Sequence, residues 1–345
     1  MSQSEIHSSE QSNLAATTPE RIFAAMMAYQ TAEALHGAIE LDLFTALAEG
    51  ATTVPALAAR CQASERGIRI LCDYLTITGL LTKDGATYAL TSDSAAFLNK
   101  HSPAYMGSAT TFLNSDYLRN GFRNVAENVR RGTTLLGGEG SMDPDHPMWV
   151  DFARGMMPLM FPAAQEIAAL LGPMNPCRVL DIAAGHGIFG IALAQANPQA
   201  EVSAVDWANV LTVAQENAQR FGVADRYRTL AGSAFEVDFG SGYDIVLFTN
   251  FFHHFDPPTC ESLMRKAHAA LNEGGRAVTL EFVPNEDRIT PPPQASFSLV
   301  MLATTPSGDA YTFAEFEQMF RNAGYARSEL HELTVSPERL IVSYK

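Results

Sequence analysis

A glycine-rich segment, Asp181-Ile-Ala-Ala-Gly185-His-Gly187, constrains the fold more than any other feature of the chain. It begins at the end of a predicted strand at 178–182, and it precedes an apolar run at 188–196 that is typical of a helix. Glycine allows a sharp turn and a close approach of the backbone to a ligand. The start of the following helix offers free N–H groups. The segment therefore predicts a strand–loop–helix unit that binds a small ligand.

Strands and helices alternate from Cys177 to the end of the chain. The predicted strands cover 178–182, 201–205, 227–230, 243–249, 277–282, 328–333 and 339–343. The predicted helices between them cover 188–196, 210–221, 259–271 and 313–323. Repeated strand–helix units predict an α/β fold with a doubly wound, Rossmann-like sheet, which binds its ligand at the carboxyl ends of the strands.

The glycine loop leaves the choice of cofactor open by itself. Gly185, Gly187 and Gly190 satisfy the G-x-G-x-x-G pattern of dinucleotide-binding proteins, and Asp206, 21 residues past Gly185, can bind ribose hydroxyls. Two features favour S-adenosylmethionine over a nicotinamide cofactor. Asp181 places a carboxylate where the amino group of S-adenosylmethionine can bind and where a pyrophosphate would gain nothing. The α/β region also begins only after about 170 residues of mainly helical chain.

The N-terminal part of the chain has the order of elements of a winged helix. Its predicted helices and strands cover 20–47, 54–61, 65–78, 80–83 and 87–90. Ser64 is the expected N-cap of the third helix, and Asp84-Gly85 is the expected turn between the strands. Acidic neighbours cancel the charges of Arg66 and Arg69 on the third helix, so a dimerisation module is favoured over a DNA-binding one.

Shifts in composition place the domain boundaries. We expect a disordered leader at 1–18, a winged-helix domain at 19–100, a helical linker region at 101–171 and the α/β domain at 172–345. A loop rich in glycine and proline interrupts the linker region at 132–147.

The composition excludes several classes of partner. The 38 acidic residues outnumber the 23 basic ones, giving a formal charge of −15, which argues against nucleic acid and against an anionic membrane surface. No apolar run reaches the roughly 18 residues of a membrane span, and the polar start lacks the features of a secretory signal. The four cysteines show no C-x-x-C spacing, so no zinc site or disulfide scaffold is indicated. We expect a soluble, cytoplasmic protein.

Further motifs follow the glycine loop in a fixed order. They are VLDIAAGHG at 179–187, VDW at 205–207, AGSAF at 231–235, DIVLFTNFFHHFD at 244–256, NEGGRAVTLEF at 272–282 and TFAEFEQMFRNAGY at 312–325. Over residues 20–345 the chain resembles the class I S-adenosylmethionine-dependent O-methyltransferases of small molecules, such as the plant caffeate and isoflavone and bacterial polyketide enzymes. This resemblance implies S-adenosyl-L-methionine as cofactor, a small hydroxylated acceptor and a homodimer formed through the winged-helix domain.

The resemblance also assigns cofactor-binding residues one by one. Asp181, Gly185 and Gly187 are expected to hold the methionine part of the cofactor, and Asp206 is expected to bind the ribose hydroxyls. Asn250 is a candidate for both the cofactor site and the acceptor pocket.

The adenine end of the cofactor has three further candidates. Trp207 is expected to pack on the adenine, with Phe235 flanking the ring. The family usually has Asp where this chain has Ser233, which weakens the expected contact to the adenine amino group, although a hydroxyl still accepts a hydrogen bond.

The same resemblance implies the catalytic residues. His253 is the expected general base, since an imidazole that titrates near ~6.5 is available to take a proton at neutral pH. His254 is an alternative base or a substrate-binding residue. Glu281 is expected to orient His253 and to stabilise its charged form. The family's second carboxylate falls at Ala310, with Asp309 adjacent, so His253 is expected to rely on Glu281 alone.

The acceptor pocket is expected to be apolar and to suit a flat aromatic or polyketide-like substrate with a hydroxyl. Its candidate residues are Met156, Met160, Phe161, His254, Phe297 and Met301, so the linker region contributes to it. We predict methyl transfer to oxygen without a metal ion. One alternative keeps the fold but changes the reaction, to carbon or nitrogen methylation or to a reaction without methyl transfer. A second is a nicotinamide-dependent dehydrogenase, which is disfavoured because the sequence has no Tyr-x-x-x-Lys catalytic pair. A third is a winged-helix regulatory protein.

Overall fold

The computed structural model describes residues 18–137, 146–174 and 177–345. It divides into two units, the first ending at His101 and the second beginning at Ser102. The leader predicted at 1–18 lies outside the described residues except for residue 18, and the loop predicted at 132–147 lies partly outside them. Within the described ranges, no helix combines the length and the apolar character needed to cross a membrane.

The first unit contains five helices and a hairpin among its described residues. These elements are α1 (Glu20–Glu40), α2 (Leu43–Ala48), α3 (Val54–Arg60), α4 (Glu65–Ile77), β1 (Leu81–Asp84), β2 (Thr87–Leu90) and α5 (Ser92–Phe97). The single helix predicted at 20–47 is wrong, because the chain breaks at Asp42 with a left-handed φ of 57°. Aspartate tolerates this conformation better than most residues. Its carboxylate pairs with Lys100 at 3.0 Å and with Arg60 at 3.1 Å, so tertiary ion pairs stabilise the break.

The hairpin has the predicted strands but a shifted turn. β1 and β2 pair antiparallel with Asp84 opposite Thr87, so the turn residues are Gly85 and Ala86 rather than Asp84 and Gly85. Gly85 has a φ of 56°, which glycine adopts without strain. The shift changes neither the strand pairing nor the winged-helix order.

The first unit packs around one apolar cluster. Ser64 caps α4 as predicted and accepts a hydrogen bond from the Gly67 N–H at 3.1 Å. The largest buried side chains of the cluster are Leu43, Phe44, Leu57, Ile68, Leu75 and Tyr88. The cap fixes the start of α4, so Ile68 and Leu75 face this cluster from one side of the helix.

The second unit is built on a seven-stranded sheet of described residues. Its strands are β3 (Arg178–Ile182), β4 (Glu201–Asp206), β5 (Tyr227–Ala231), β6 (Tyr243–Thr249), β7 (Leu271–Glu281), β8 (Arg327–Glu332) and β9 (Arg339–Tyr344), in the order β5-β4-β3-β6-β7-β9-β8. All neighbours pair parallel except β9, which runs antiparallel to β7 and β8. The predicted α/β fold with a doubly wound sheet is confirmed.

Helices precede the sheet and connect its strands. They are α6 (Thr110–Leu113), α7 (Asp116–Arg123), α8 (Val125–Arg131), α9 (Met148–Leu171), α10 (Ile188–Ala196), α11 (Ala208–Arg220), α12 (Pro257–Ala270), α13 (Pro292–Thr304) and α14 (Phe313–Asn322). No element was predicted over the residues of α13, which begins with consecutive prolines. Proline is favoured in the first helical turn, however, where its missing N–H has no intrahelical partner to lose. α13 begins there and carries Phe297 and Met301.

The register of the sheet brings the carboxyl ends of several strands together at one edge. Ile182 pairs with Val205, and Thr249 pairs with Leu280, so the segments that follow β3, β4, β6 and β7 emerge together. β9 enters the sheet at this same edge, because Arg339 at its start pairs with Glu281 at the end of β7. Residues just before β9 therefore join the carboxyl ends of the parallel strands.

Candidate active site

A cavity of about 1470 Å³ lies at this edge of the sheet, within the second unit. Typical small-molecule clefts measure roughly 300–1000 Å³, so this one has room for a cofactor and a second small molecule. The sequence-predicted residues that line it are Met156, Met160, Gly185, Asp206, Trp207, Ser233, Phe235, Asn250, His253, His254, Phe297 and Met301. The remaining predicted residues, Asp181, Gly187, Phe161 and Glu281, lie behind or beside its walls.

Asp206 and the glycine loop hold each other in place. The Asp206 Oδ2 accepts a hydrogen bond from the Gly185 N–H at 2.8 Å, and its Oδ1 accepts one from the Trp207 N–H at 2.7 Å. Burial raises the pKa of Asp206 to about 6, although these two N–H groups oppose the shift. A carboxylate fixed at a strand end beside a glycine loop is well placed to accept hydrogen bonds from ligand hydroxyls.

Gly187 is required by packing. Its φ of 72° is left-handed, and a Cβ there would lie 2.5 Å from the Tyr227 Oη and 3.0 Å from the Ala214 Cβ. Any larger residue would push the loop away from α11 and β5. Gly187 therefore shapes the loop from behind, while Gly185 forms part of the cavity wall.

Asp181 lies directly beneath the glycine loop and is fully buried. Its Oδ2 accepts a hydrogen bond from the Gly190 N–H at 3.2 Å, whereas its Oδ1 has no hydrogen-bond partner among the described residues. A Cβ at position 190 would come within 2.8 Å of Oδ2, so this carboxylate also accounts for Gly190. Burial, with a smaller contribution from nearby Asp206, raises the pKa of Asp181 to about 7. The unpaired oxygen is consistent with a ligand group reaching the loop.

Another part of the cavity wall is formed by Trp207, Ser233 and Phe235. Ser233 Oγ accepts a hydrogen bond from the Phe235 N–H at 3.3 Å, which shapes the turn after β5. The Phe235 ring is 38% exposed and meets Phe255 edge to face at 5.1 Å between ring centroids. This ring therefore presents a face to the cavity rather than belonging to the core.

Methionine and aromatic side chains from α9 and α13 form the apolar walls. Met160 lies with its Sδ 3.1 Å from the His186 Nε2 and 3.9 Å from the Asn250 Nδ2. Burial lowers the pKa of His186 to about 4, so this imidazole is neutral at physiological pH. Phe161, one residue further along α9, instead stacks on Phe221 at 5.4 Å between ring centroids, beside the cavity.

His253 and Glu281 form a buried pair at the cavity wall. The His253 Nδ1 lies 2.5 Å from the Glu281 Oε2, and the two side chains are 7% and 1% exposed. The other carboxylate oxygen, Oε1, accepts hydrogen bonds from the N–H groups of Phe251 and Phe252 at 2.8 and 2.7 Å. Every strong contact of Glu281 thus fixes the short turn that carries His253. With Nδ1 occupied, Nε2 is the ring nitrogen left to exchange a proton.

His254 lies beside His253 in a different environment. The two ring centroids are 4.3 Å apart, and the His254 ring meets Trp149 edge to face at 5.5 Å. Burial, reinforced by the charge of His253, lowers the pKa of His254 well below its usual value. Phe297 from α13 closes the other side of the His253 ring, at 4.9 Å between centroids.

The second carboxylate that the resemblance implies is replaced by alanine at position 310. Ala310 is buried, and the neighbouring Asp309 accepts a hydrogen bond from Arg288 at 3.2 Å. Another carboxylate does line the cavity, that of Glu338 just before β9, and it is only 5% exposed. Sequence reasoning missed Glu338 because a lone glutamate before a strand resembles a surface residue. Only the pairing of Arg339 with Glu281 places it here.

The described residues contain no group of three or more His, Cys, Asp or Glu side chains placed to hold a metal ion. The geometry is that of an α/β enzyme with a ligand cavity at the carboxyl ends of its strands and a histidine–carboxylate pair at the cavity wall. Comparison with known proteins makes the class specific. The family model described as the O-methyltransferase domain matches residues 150–326, and the O-methyltransferase dimerisation domain matches residues 23–100.

Individual relatives agree with this match. A crystal structure of a protein from Nostoc punctiforme PCC 73102, assigned as an O-methyltransferase, is 53% identical, covers 95% of this chain and 100% of its own, and superimposes with a TM-score of 0.92. The 3-hydroxy-5-methyl-1-naphthoate 3-O-methyltransferase of Streptomyces sahachiroi is 28% identical, with 85% of each chain covered. The tetracenomycin polyketide synthesis 8-O-methyl transferase TcmO of Streptomyces glaucescens is 26% identical, over 95% of this chain and 97% of its own.

The chain therefore belongs to the O-methyltransferase family. This membership confirms the predicted enzyme class, a methyltransferase that uses S-adenosylmethionine. The residues present fit that cofactor, since the Gly185 backbone and the Asp206 carboxylate line the cavity together, and Asp181 lies beneath the same loop with one oxygen unpaired among the described residues.

Proposed function

We propose that this protein methylates a hydroxyl group on an aromatic small molecule, with His253 as the general base. The observation that carries the proposal is the buried contact between His253 and Glu281 at the wall of a cavity large enough for two ligands. A hydroxyl held at Nε2 can pass its proton to the imidazole, and Glu281 then stabilises the imidazolium that forms. General-base assistance of this kind is typically worth ~10²–10⁴-fold in rate.

S-adenosylmethionine, when bound, supplies a methyl group on a positively charged sulfur. The cavity residues have separate tasks toward it in this proposal. Asp206 binds the ribose hydroxyls, and Asp181 with the loop at Gly185 and Gly187 holds the methionine part. Trp207, Ser233 and Phe235 enclose the adenine, while Asn250 lies near the boundary with the acceptor.

The acceptor is proposed to be flat, aromatic and polyketide-like. Met156, Met160, Phe297 and Met301 line its side of the cavity, and methionine adapts its shape to large apolar ligands. Relatives named for a hydroxynaphthoate and for a tetracenomycin polyketide support this class. His254, held neutral by burial, acts in this proposal as a wall and hydrogen-bonding group rather than as the base.

We also propose that the first unit forms a homodimer. Apolar side chains along α1 are well exposed in the single chain, including Ile22, Phe23, Met26 and Tyr29 at 61–64%. Exposed apolar stretches of this kind mark interaction surfaces. The match to a dimerisation domain over 23–100 supports a second copy of this chain as the occupant.

Calorimetric titration followed by product analysis tests the proposed function. S-adenosylmethionine should bind to the purified protein and NADH should not. Incubation with hydroxynaphthoates should then give products heavier by one methyl group. The His253→Ala variant should bind S-adenosylmethionine as the wild type does and lose turnover. Full turnover by this variant would remove His253 from the role of base.

A further inference from the structure

The segment before β9 brings a buried carboxylate into the cavity. Glu338 lines the cavity and is 5% exposed, and its Oε2 accepts a hydrogen bond from the Ser336 Oγ at 2.8 Å. Its carboxyl group also interacts with the side chain of Asn250. Burial, followed by repulsion from Glu281, raises the pKa of Glu338. A buried carboxylate is normally satisfied by several hydrogen bonds or by a cation.

Among the described residues, the side chains of Ser336 and Asn250 contact the Glu338 carboxyl group. A carboxyl group offers more hydrogen-bonding positions than these two contacts use, which leaves room for a donor on a ligand. The neighbouring cation, Arg339, is engaged elsewhere, with the Val283 carbonyl and Asn285 at 2.9 Å and Glu332 at 2.7 Å.

Two helices hold this segment rigidly against the cavity. Glu166 of α9 accepts hydrogen bonds from the Thr334 N–H at 2.9 and 3.0 Å. Gln294 at the start of α13 donates a hydrogen bond to the Pro337 carbonyl. These are the same two helices that supply the apolar walls of the acceptor pocket. A site held in this way is preorganised for a ligand rather than formed by a loose loop.

We propose that Glu338 recognises a second hydrogen-bond donor on the acceptor, a hydroxyl or amino group on the same aromatic framework as the hydroxyl that reaches His253. The two groups belong to one corner of the sheet, because Glu338 precedes Arg339, Arg339 pairs with Glu281, and Glu281 contacts His253. The preferred acceptor is then a dihydroxy or amino-hydroxy arene. This inference rests on the proposed function for the position of the reacting hydroxyl.

Binding measurements test the inference separately from catalysis. Calorimetry in the presence of S-adenosylhomocysteine gives the Kd of dihydroxynaphthalenes, aminonaphthols and their singly hydroxylated counterparts. A hydrogen bond between the second substituent and Glu338 should favour the doubly substituted ligand by about tenfold. Wild-type protein should show this preference for at least one substitution pattern, and Glu338→Gln should reduce it to near unity. Glu317→Gln, on an exposed face of α14, is the matched control and should keep the preference.

The outcomes separate the two claims. Preference in binding without methyl transfer would contradict the proposed function and support the role of Glu338. If the wild-type protein binds doubly and singly substituted naphthalenes with equal affinity, or binds no doubly substituted naphthalene, the proposed role of Glu338 is overturned. No variant is needed for that conclusion. An unchanged preference in Glu338→Gln would overturn it too. Weakened binding of S-adenosylhomocysteine in this variant would assign Glu338 to the cofactor instead.

Discussion

The Nδ1 of His253 lies 2.5 Å from the Oε2 of Glu281, while the other oxygen of that carboxylate accepts hydrogen bonds from the N–H groups of Phe251 and Phe252. One carboxylate therefore fixes both the imidazole and the turn from which it projects. The arrangement leaves little freedom for the ring to rotate, and it leaves Nε2 as the ring nitrogen that can exchange a proton. If His253 is the base, as we propose, Glu281 alone can orient it without a second carboxylate at position 310.

Removing either member of this pair should lower kcat. His253→Ala removes the proposed base, and we expect kcat to fall by about 10²–10⁴-fold. Glu281→Gln keeps most of the shape but removes the charge that stabilises the imidazolium, and a smaller fall is expected. Steady-state kinetics with a hydroxynaphthoate, together with the Kd for S-adenosylmethionine, checks both. A loss confined to cofactor binding would be at odds with a catalytic pair.

Asp206→Ala should weaken S-adenosylmethionine binding by at least about tenfold. The substitution removes the proposed acceptor for the ribose hydroxyls and also releases the Gly185 N–H from its 2.8 Å hydrogen bond. Calorimetry measures the change in Kd. Asp225→Ala, at an exposed position after α11, is the control and should bind like the wild type. Unchanged affinity in Asp206→Ala would take this residue out of the cofactor site.

The stability of the ligand-free protein should depend on pH through Asp181. The native carboxyl has a pKa of about 7 against 3.8 when unfolded, so between these values the native state binds more protons than the unfolded state. Stability contributed by this group therefore falls as pH rises through that window. Asp181→Asn does not ionise, so its free energy of unfolding relative to the wild type should rise over the same window, by up to a few kcal/mol in order of magnitude. Urea denaturation measures the difference at each pH, and a constant difference would contradict the assignment.

The exposed apolar face of α1 predicts a change in assembly. Phe23→Glu combined with Met26→Glu should convert a dimer to a monomer, since charged residues do not tolerate burial in an apolar interface. Light scattering after size-exclusion chromatography measures the mass. Val129→Glu, an exposed apolar position on α8, is the matched control and should leave the mass unchanged. A wild-type protein that is monomeric at all concentrations would contradict the homodimer.

Local patterns predicted much of the fold and part of the site. The bounds of β3, β6 and α10 follow directly from runs of apolar residues, because these elements are buried and their ends carry glycine or polar residues. The break at Asp42 depends on ion pairs with Arg60 and Lys100, which no local pattern contains.

Glu338 illustrates the same limit within the site. His253 and Glu281 follow parallel strands whose carboxyl ends must meet, so their proximity could be expected from the order of elements. Glu338 precedes a strand, and only the antiparallel pairing of β9 with β7 brings it to the same edge. The residues next to Glu338 in the sequence do not predict this long-range pairing of β9 with β7.

The most direct test of the account is to follow an isotopically labelled methyl group from S-adenosylmethionine into product. Wild-type protein is incubated with labelled cofactor and a set of hydroxylated aromatic acceptors, and carbon NMR locates the label. O-methylation assisted by His253 should give a methoxy carbon on an aromatic ring, formed by the wild type and strongly reduced in His253→Ala. Label on carbon or nitrogen, or no transfer by a protein that binds the cofactor, would contradict O-methylation assisted by this histidine.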